Sequence, residues 1–410
     1  MIRRNIEPLV TAALTDTPVV LINGARQTGK TTLVRMLATG VGKAAYFTLD
    51  DSAVLAGAVA NPRGFLSNLE GTVIIDEVQK APALFPAIKM AVDEDRRPGR
   101  FILTGSANVL MLPRLSESLA GRVEILTLRP FSQGEMEGRR ETFVERLFSE
   151  KGFPVIQKTS AGTSLAQRIH RGGYPEAIRR SGTRRRAWFA SYLSTILQRD
   201  IRDLSNIASV VETPRLLALL AGRSSALLNI SELSRSAGIP HTSLQRYLAL
   251  FEAAFLMQRI PAWTANLSKR LVKAPKALLG DTGFMAHLLN ASEGAVLKDA
   301  NLSGRFLETF VGCELLKQAE WEESKPRLMH YRTAAGMKVD FVLEEGGLRV
   351  AGVEVKSSHA VSARDFGGLR SLAEDAGKQF AGGVVLYGGE KVVPFGPHLW
   401  AVPISELWAG

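Results

Sequence analysis

The sequence predicts an α/β protein whose first part is a parallel sheet with crossover helices. Short apolar segments alternate there with helical stretches, which is the pattern of that architecture. The segments that predict its five strands are residues 19–23, 44–49, 73–75, 101–104 and 123–128. Between about residues 131 and 290 the apolar residues recur at helical spacing, and strand-like segments return after residue 300. We therefore predict a helical middle region and a second α/β domain.

Composition excludes several classes of protein. The 410 residues suffice for two to four domains, and 46% hydrophobic with 22% charged residues excludes a disordered or low-complexity chain. No segment reaches the ~18 consecutive apolar residues of a membrane helix, so we expect no membrane partner. A single cysteine, Cys313, excludes internal disulfides, and this agrees with a cytoplasmic location.

Positive charge is concentrated in one segment. The chain carries a formal net charge of +11. Between Arg168 and Arg202 nine arginines stand against two acids, Glu176 and Asp200, a surplus of seven positive charges. Such a surplus favours an anionic partner such as nucleic acid. The candidate contacts are Arg184, Arg185 and Arg186, although a solvated face is the alternative.

A phosphate-binding loop follows the first predicted strand. Residues 24–31 fit the pattern G-x-x-x-x-G-K-[ST] between a strand and a helix. Its glycines let backbone N–H groups close around phosphates, while Lys30 reaches the β- and γ-phosphate oxygens and Thr31 ligates Mg²⁺. The expected nucleotide contacts are Gly24, Ala25, Arg26, Gln27, Thr28, Gly29, Lys30, Thr31 and Thr32.

Polar residues near the ends of later strands complete this candidate site. A buried strand ends at Asp76 and Glu77, where we expect Asp76 to orient the Mg²⁺ shell and Glu77 to polarise the attacking water. Thr104 and Ser106 either hold the γ-phosphate or the lytic water, or cap the strand. Arg122 is a candidate arginine finger, supplied to its own site or to that of a neighbouring subunit, or else a structural arginine.

A helix-turn-helix is predicted between residues 229 and 251. Its first helix is expected to be capped by Ser231 and ended by Gly238, and its second helix to begin at His241 or Thr242. Gln245 and Arg246 lie off the apolar face of the second helix and are types that read base edges in a major groove. Such a unit also serves as a packing module, and this alternative stays open.

These motifs together resemble prokaryotic AAA-type ATPases that carry a C-terminal domain of unknown function. The resemblance continues through residues 172–176, 192–203, 274–283 and 339–356. It implies an ASCE-type P-loop core in residues 1–135, a helical Arg-rich lid or linker in 136–225, a winged helix in 226–295 and a restriction-endonuclease-like domain in 296–410. It also implies ATP and Mg²⁺ as cofactors, DNA as a partner, and a homo-oligomer, with a hexameric ring among its arrangements.

A carboxylate set near the C-terminal end resembles the catalytic core of such nuclease folds. Asp340 and Glu354 would hold Mg²⁺, Lys356 would support the attacking water, and Glu308 could add a third acid. Strand alternation places Asp340 and Glu354 on one face only if their connection has an odd number of residues or a bulge, and we expect a three-residue turn at 345–347. A relic of this fold without cleavage activity is the alternative.

Three functions follow from these patterns. The favoured one is a Mg²⁺-dependent AAA-type ATPase that couples ATP hydrolysis to DNA binding or remodelling. The second is a nucleotide-gated regulatory or defence switch that binds protein partners, and the third is an ATP-gated, metal-dependent nuclease. Stimulation of ATP hydrolysis by DNA, with a steep salt dependence, separates the first from the others.

Overall fold

The computed structural model describes residues 2–40, 43–106, 119–154, 163–198, 213–270, 273–294 and 299–409. The chain forms two compact units. One contains Arg3–Pro130 and Leu250–Leu256, and the other contains Phe131–Ala249 and Met257–Gly410. Among the described residues, no helix has the length and apolar character needed to cross a membrane. The four-segment division expected from the sequence stays a prediction.

The first unit is built on a five-stranded parallel sheet, as the sequence predicts. Its strands are β1 (Val19–Asn23), β2 (Ala44–Thr48), β3 (Thr72–Asp76), β4 (Phe101–Gly105) and β5 (Val123–Thr127), in the spatial order β2-β3-β4-β1-β5. Every residue of β1, β3 and β4 is buried, as expected for parallel strands that are covered on both faces. Because β3, β4 and β1 are neighbours that run parallel, their carboxyl ends meet at one edge of the sheet.

Five helices of this unit are described. They are α1 (Glu7–Asp16), α2 (Lys30–Gly40), α3 (Ser52–Ala60), α4 (Pro62–Leu66) and α5 (Leu84–Glu94). Side chains cap the N-termini of two of them. At α3 the Asp51 side chain accepts from Ala53 N at 2.8 Å, and at α4 the cap is Asn61, with Pro62 in the first turn. Helix α2 begins at Lys30, directly after the glycine-rich loop, so the loop opens onto a helix N-terminus.

The second unit begins with a series of helices. They are α6 (Gln133–Glu137), α7 (Phe143–Phe148), α8 (Leu165–Arg171), α9 (Pro175–Ile178), α10 (Gly182–Ile196), α11 (Thr213–Gly222), α12 (Ile230–Ala237), α13 (His241–Ala253), α14 (Leu267–Arg270), α15 (Thr282–Leu288), α16 (Ala300–Trp321) and, late in the chain, α17 (Gly367–Ala376). The predicted helical middle is thus present. A two-stranded antiparallel sheet, β6 (Met257–Ile260) with β7 (Lys276–Leu279), follows α13.

The helix-turn-helix prediction is correct except for its first cap. Gly238 ends α12 in the left-handed conformation (φ 72°), and α13 begins at His241. The cap is Asn229 rather than Ser231, because the Asn229 side chain accepts from Glu232 N at 3.0 Å. Both residues are good capping types, and the helix begins one residue before Ser231.

The C-terminal sheet of the second unit has six strands. They are β8 (Arg327–Arg332), β9 (Lys338–Glu344), β10 (Val350–Val355), β11 (Phe380–Tyr387), β12 (Val393–Gly396) and β13 (Leu399–Pro403), in the order β12-β13-β11-β10-β9-β8. The sheet is mixed: β10 pairs parallel with β11 and antiparallel with β9. Helix α16 is buried along most of its length, as expected for a helix that packs on the core.

The connection between β9 and β10 is odd in length, as predicted, but it is longer than expected. Phe341 pairs with Val353, and Glu344 with Val350, which leaves the five residues 345–349 between the strands. The expected three-residue turn is therefore wrong. Continued by one residue, this register sets Asp340 opposite Glu354, so both side chains lie on one face of the sheet.

Candidate functional site

The phosphate loop is shaped by two glycines that no other residue replaces without strain. Gly24 has φ +146°, and a Cβ there would lie 2.2 Å from the carbonyl oxygen of Leu128, the residue after β5. Gly29 has φ +95°, which L side chains rarely adopt. The loop can therefore turn sharply between β1 and α2 and present backbone N–H groups at the helix N-terminus.

Buried basic side chains stabilise the loop from within. The Nζ of Lys30 donates to the carbonyl oxygens of Gly24 (2.9 Å) and Ala25 (2.8 Å), and Lys30 is only 5% exposed. Arg4 donates to the carbonyl oxygens of Thr28 (2.8 Å) and Arg129 (2.6 Å). The loop thus encloses an ammonium group, the charge that a polyphosphate would use.

Asp76, at the end of β3, is held by hydroxyl groups. Thr31 Oγ1 and the Tyr46 hydroxyl both donate to Asp76 Oδ2 at 2.8 Å, and Thr104 Oγ1 donates to Oδ1. Burial, and next the hydrogen bond to Asp76, raises the pKa of Tyr46, so that its hydroxyl stays protonated and remains a donor. Neutral donors orient the carboxylate without cancelling its charge.

Glu77 is held beside Asp76 by a separate set of contacts. Its backbone is left-handed (φ 62°, ψ 42°), an uncommon conformation for a residue with a side chain, and its N–H donates to Thr104 Oγ1 at 3.0 Å. Gln79 Nε2 donates to the Glu77 carboxylate and also to Ser106 Oγ at 2.9 Å. Thr104 and Ser106 therefore lie at the same sheet edge as the two acids.

The residues at this edge fit a magnesium nucleotide. Thr31 and Asp76 bring a hydroxyl and a carboxylate oxygen together, the donor types that Mg²⁺ prefers. Directly before Gly24, the Oδ1 of Asn23 is buried and accepts no hydrogen bond from the part of the chain that the structure describes. The site thus combines an enclosed ammonium group, oxygen ligands for a hard cation and a buried polar atom that lacks a partner.

Arg122 lies away from this site within its own unit. It directly precedes β5, whose first residue Val123 pairs with the first residue of β1, whereas the loop follows the last residue of β1. A five-residue strand spans about 16 Å, so the structure contradicts a role toward its own loop. Arg122 Nε donates instead to Asp93 Oδ1 at 2.6 Å. Its role toward a neighbouring subunit stays a prediction.

Several arginines of the basic segment serve the fold. Arg168 is 4% exposed, forms an ion pair with Glu137 and lies over the Trp408 ring. Arg185 donates to the carbonyl oxygens of Ala177 (3.2 Å) and Arg180 (2.8 Å), so its guanidinium caps the end of α9. For these two arginines, the expected nucleic-acid surface is replaced by internal contacts.

Other predicted nucleic-acid contacts are exposed. Arg184 and Arg186 on α10, and Gln245 and Arg246 on α13, are accessible to solvent. Arg199 and Arg202, which contributed to the charge surplus, lie outside the described residues. Among the described arginines of this segment, Arg184 and Arg186 therefore remain accessible to a partner, whereas Arg168 and Arg185 make internal contacts.

The structure brings the C-terminal acids together. The Asp340 backbone N–H donates to Glu354 Oε2 at 3.3 Å, and Val355 N–H donates to Asp340 Oδ2 at 3.0 Å. Lys356 Nζ lies 3.0 Å from Glu354 Oε1. Asp340 and Glu354 are 1% and 4% exposed, respectively.

Two further lysines occupy this acidic site. Lys276, from β7, places its Nζ 3.4 Å from Asp340 Oδ1 and 3.9 Å from Glu308 Oε2, and Lys338 Nζ lies 3.2 Å from the same Asp340 oxygen. Among the described residues, no group of three or more His, Cys, Asp or Glu side chains is arranged to hold a metal ion. The acids are therefore paired with ammonium groups.

Charge and burial oppose each other in this set. Burial raises the pKa of Asp340, but Lys276 and Lys338 outweigh it and the net shift is downward, so Asp340 is ionised. Burial, and then the charge of Asp340, raises the pKa of Glu354 to about 7 and also raises that of Glu308. Asp340 is thus the ionised acid of the set, and its charge adds to the effect of burial in raising the pKa of the other two.

Sequence reasoning missed residues that contact these sites from elsewhere in the chain. Tyr46 and Arg4 carry no motif, and only the packing of β2 and of the N-terminal segment brings them to Asp76 and to the loop. Gln79 follows Glu77 by two residues and lies in the stretch 75–80, which carries part of the family resemblance, but no role was assigned to it. Lys276 lies in a segment that resembles the family, but no pattern linked it to Asp340.

Comparison with protein-family models divides the chain into three segments. Residues 16–137 match an AAA domain. Residues 162–295 and 303–407 match two domains of unknown function, DUF8612 and DUF4143. The expected P-loop ATPase core is confirmed at this level, whereas the nuclease-like character of the C-terminal domain stays a prediction.

Among solved structures, the chain is similar to a Walker-type ATPase of Pyrococcus abyssi, with a TM-score of 0.44 and 14% identity over 70% of this chain and 96% of that one. It is also similar to a variant of RuvB of Thermotoga maritima, with a TM-score of 0.30 and 18% identity over 63% of this chain and 89% of that one.

Two relatives match over nearly the whole chain. The uncharacterized proteins Rv2008c of Mycobacterium tuberculosis and Mb2031c of Mycobacterium bovis are each 32% identical over 409 residues, which is 99% of this chain and 84% of theirs. The chain therefore belongs to the same family as these two mycobacterial proteins, with an AAA domain followed by two domains of unknown function.

Proposed function

We propose that this protein is a Mg²⁺-dependent ATP hydrolase whose turnover is coupled to DNA. The observation that carries the hydrolase is the 2.8 Å hydrogen bond from Thr31 Oγ1 to Asp76 Oδ2, which joins the phosphate loop to the acidic end of β3. When bound, Mg²⁺ would neutralise charge that develops on the phosphates. Lys30 and the loop N–H groups would bind the phosphates, and Asp76 and Thr31 would hold the metal.

Glu77 is the residue that we assign to water activation. Glu77 directly follows Asp76 in the chain, and its carboxylate accepts a hydrogen bond from Gln79, which also contacts Ser106. This hydrogen bond would keep the Glu77 carboxylate in one orientation. In that orientation the carboxylate would take a proton from an attacking water. Thr104 orients Asp76 and the Glu77 backbone rather than reaching outward, because it is fully buried and bonded to both.

The test of hydrolysis is steady-state ATP turnover of the purified chain with and without Mg²⁺. We expect Lys30→Ala to lose ATP binding and Glu77→Gln to keep binding while losing turnover. The matched control is Lys43→Ala, an exposed lysine whose Nζ lies 3.6 Å from Glu70 at the surface, and it should leave both properties unchanged. Turnover that survives both test substitutions would contradict the proposal.

The DNA partner is supported by the exposed cations Arg184, Arg186 and Arg246 and by the exposed Gln245. Helices α12 and α13 followed by the antiparallel pair of β6 and β7 have the order of a winged helix, a fold that often binds DNA. We expect single-stranded, duplex or branched DNA to stimulate ATP turnover, and added salt to weaken this effect steeply. If none of the three DNA forms changes the rate of ATP turnover, and the chain instead binds a specific protein in a pull-down, the nucleotide-gated switch is favoured.

A homo-oligomer is part of the proposal through Arg122. If its guanidinium acts on a neighbour's nucleotide, Arg122→Ala should abolish turnover and spare ATP binding. Mixing that variant with Glu77→Gln protein should then restore part of the turnover, because mixed interfaces contain one intact site. Retained turnover in Arg122→Ala alone would remove this role.

Cleavage of nucleic acid by the C-terminal domain is the less favoured function. Its acids are adjacent, as a nuclease requires, but Lys276 and Lys338 lie against Asp340 where a divalent cation would have to bind. A metal-dependent nuclease would lose cutting in Asp340→Ala, and this remains the direct test.

A further inference from the structure

Helix α10 carries positive charge that no acidic residue of the same helix offsets. Its residues, Gly182–Ile196, include three arginines and neither Asp nor Glu. Arg185 turns inward to the end of α9, but Arg184 and Arg186 are exposed. Neither of these two arginines forms an ion pair with any residue that the structure describes. The exposed side of α10 therefore attracts an anion.

A tryptophan lies beside one of these arginines. Trp188 follows Arg184 by four residues, so the two side chains are neighbours on the helix surface. Trp188 is only half-buried, in contrast to Phe189 and Tyr192, which are 1% and 6% exposed. Part of an indole ring is therefore accessible to solvent at the place where a cationic side chain is also accessible.

Aromatic rings hold this indole from the protein side. The Trp188 ring is stacked on that of Tyr192, with centroids 5.1 Å apart and an interplanar angle of 17°. The ring centroids of Phe189 and Tyr174 lie 4.9 Å and 5.7 Å from that of Trp188. The hydroxyls of Tyr174 and Tyr192 are hydrogen-bonded to each other at 2.9 Å. A ligand that stacks on a ring restrained in this way loses little binding free energy to side-chain ordering.

The rest of the exposed side of α10 has short side chains. Ala187, Ala190, Ser191 and Ser194 are all exposed. A planar group can therefore approach Trp188 along the helix without meeting a bulky side chain of α10. The exposed residues of α10 also offer no apolar side chain larger than alanine, so this side has little to offer a protein that binds by burying apolar surface.

The combination of charge and an accessible aromatic ring favours a nucleic acid whose bases are free. Phosphates attract arginine in single strands and in duplexes alike. The bases of a duplex are stacked on each other, whereas the bases of a single strand can stack on an aromatic side chain. Trp188 would therefore strengthen the binding of a single strand and add nothing to the binding of a duplex.

We propose that the exposed side of α10 binds single-stranded DNA, with a base stacked on Trp188 and phosphates bound by Arg184 and Arg186. This role rests on the proposed DNA partner and names the form of DNA that α10 recognises. The site lies on a different helix from Gln245 and Arg246, the residues expected to contact duplex bases. It requires neither the phosphate loop nor a bound nucleotide.

The experiment measures the binding of labelled DNA to the full chain by fluorescence anisotropy, without ATP. The probes are a thymidine strand of ~15 nucleotides, a strand of equal length whose sugars carry no bases, and a duplex of equal length. The base-free strand keeps the phosphates, so its affinity measures the contribution of charge alone.

Trp188→Leu is the test variant for stacking. The matched control is Trp400→Leu, because Trp400 is another half-buried tryptophan of the second unit, with its ring centroid 6.2 Å from that of Phe153. We expect Trp188→Leu to weaken the thymidine strand about tenfold and to leave the other two probes within about twofold. Trp188→Phe should keep most of the affinity, since phenylalanine retains a ring for stacking. Trp400→Leu should change none of the three affinities.

The arginine is tested by the salt dependence of binding. Arg184→Gln should weaken both single strands and lower the slope of log affinity against log salt concentration by about one. The matched control is Arg327→Gln, an exposed arginine at the start of β8, and it should keep the slope. Thermal unfolding of each variant reports whether it folds.

Two results would overturn this site. The first is equal affinity of the unsubstituted chain for the thymidine and base-free strands, and the second is unchanged affinity for the thymidine strand in Trp188→Leu. If Trp188→Leu does not fold, equal affinity in Arg184→Gln and Arg327→Gln overturns the site instead. Duplex binding that persists in any of these cases would leave the proposed DNA partner standing while this site fails. Because ATP turnover is measured separately, these outcomes are also distinguishable from failure of the proposed ATP hydrolysis.

Discussion

Each of the two units buries carboxylates at a sheet, but the groups that hold them differ in charge. In the first unit, Asp76 accepts hydrogen bonds from the hydroxyls of Thr31 and Tyr46. In the second unit, Asp340 lies against the ammonium groups of Lys276 and Lys338. A hydroxyl leaves the carboxylate charge available to a cation, whereas an ammonium group cancels it. We therefore expect Asp76, and not Asp340, to accept a cation.

The largest expected effect is that of replacing Asp76, the acid that accepts hydrogen bonds from hydroxyl groups. Asp76→Asn should lower ATP turnover on the order of a hundredfold or more, because the amide cannot supply a charged oxygen to Mg²⁺. Steady-state hydrolysis over a Mg²⁺ titration measures it, with the exposed Asp16→Asn as the control. Unchanged turnover would show that Asp76 is no more a cation site than Asp340.

The next largest effect concerns Asp340, the acid that lies against two lysine ammonium groups. Lys276→Met should cost about 3–5 kcal/mol of unfolding free energy, because Asp340 is 1% exposed and loses a buried counter-charge. Urea unfolding measures it, with Lys273→Met, an exposed lysine of the same segment, as the control. Adding Asp340→Asn should recover most of the loss. A cost below about 1 kcal/mol would mean that Lys338 alone compensates Asp340.

Glu141 extends the comparison to a third kind of contact, because this buried acid accepts a hydrogen bond from the backbone N–H of Gly134. Burial, and next the charge of Glu314, raises its pKa from 4.5 to about 7. The folded chain therefore binds the Glu141 proton more tightly than the unfolded chain does. The stability that this proton adds is lost as pH rises from about 4.5 to 7. Relative to the unsubstituted chain, Glu141→Gln should gain about 2–3 kcal/mol between pH 4.5 and pH 8.

Unfolding of both proteins across this pH range tests the Glu141 prediction. Ser132 and Glu135, which also act on the Glu141 carboxylate, stay unchanged in the comparison. A stability difference that does not vary with pH would show that folding does not raise the pKa of Glu141.

The smallest effect is expected for the lysine that follows β10. Lys356 lies 3.0 Å from Glu354, but its side chain is 33% exposed. Solvent screens such a pair, so Lys356→Met should change the unfolding free energy by less than about 1 kcal/mol. The same urea measurement applies. A loss as large as that of Lys276→Met would show that position on the sheet, rather than burial, sets the strength of these pairs.

Features encoded by neighbouring residues were predictable from the sequence. The loop at residues 24–31, the acids at the end of β3 and the turn at Gly238 each depend on a few consecutive residues. The exception is instructive, because Asn229 and Ser231 are both capping types two residues apart. Only the reach of the Asn229 side chain to Glu232 N decides between them.

Contacts between distant residues were not predictable. Lys276 and Asp340 are 64 positions apart, and no periodicity relates them. Arg168 is of the same residue type as the exposed Arg184, yet it is buried over Trp408. Whether a charged side chain binds a partner or completes the core depends on packing that a single sequence does not reveal.

The lysine from β7 has a consequence for how such chains can be divided. Lys276 lies in the segment that matches one domain of unknown function, and Asp340 lies in the segment that matches the other. A fragment excised at residue 303, or grafted onto a foreign protein, would carry Asp340 with Lys338 but without the buried Lys276. We therefore expect these two segments to be inherited and recombined together.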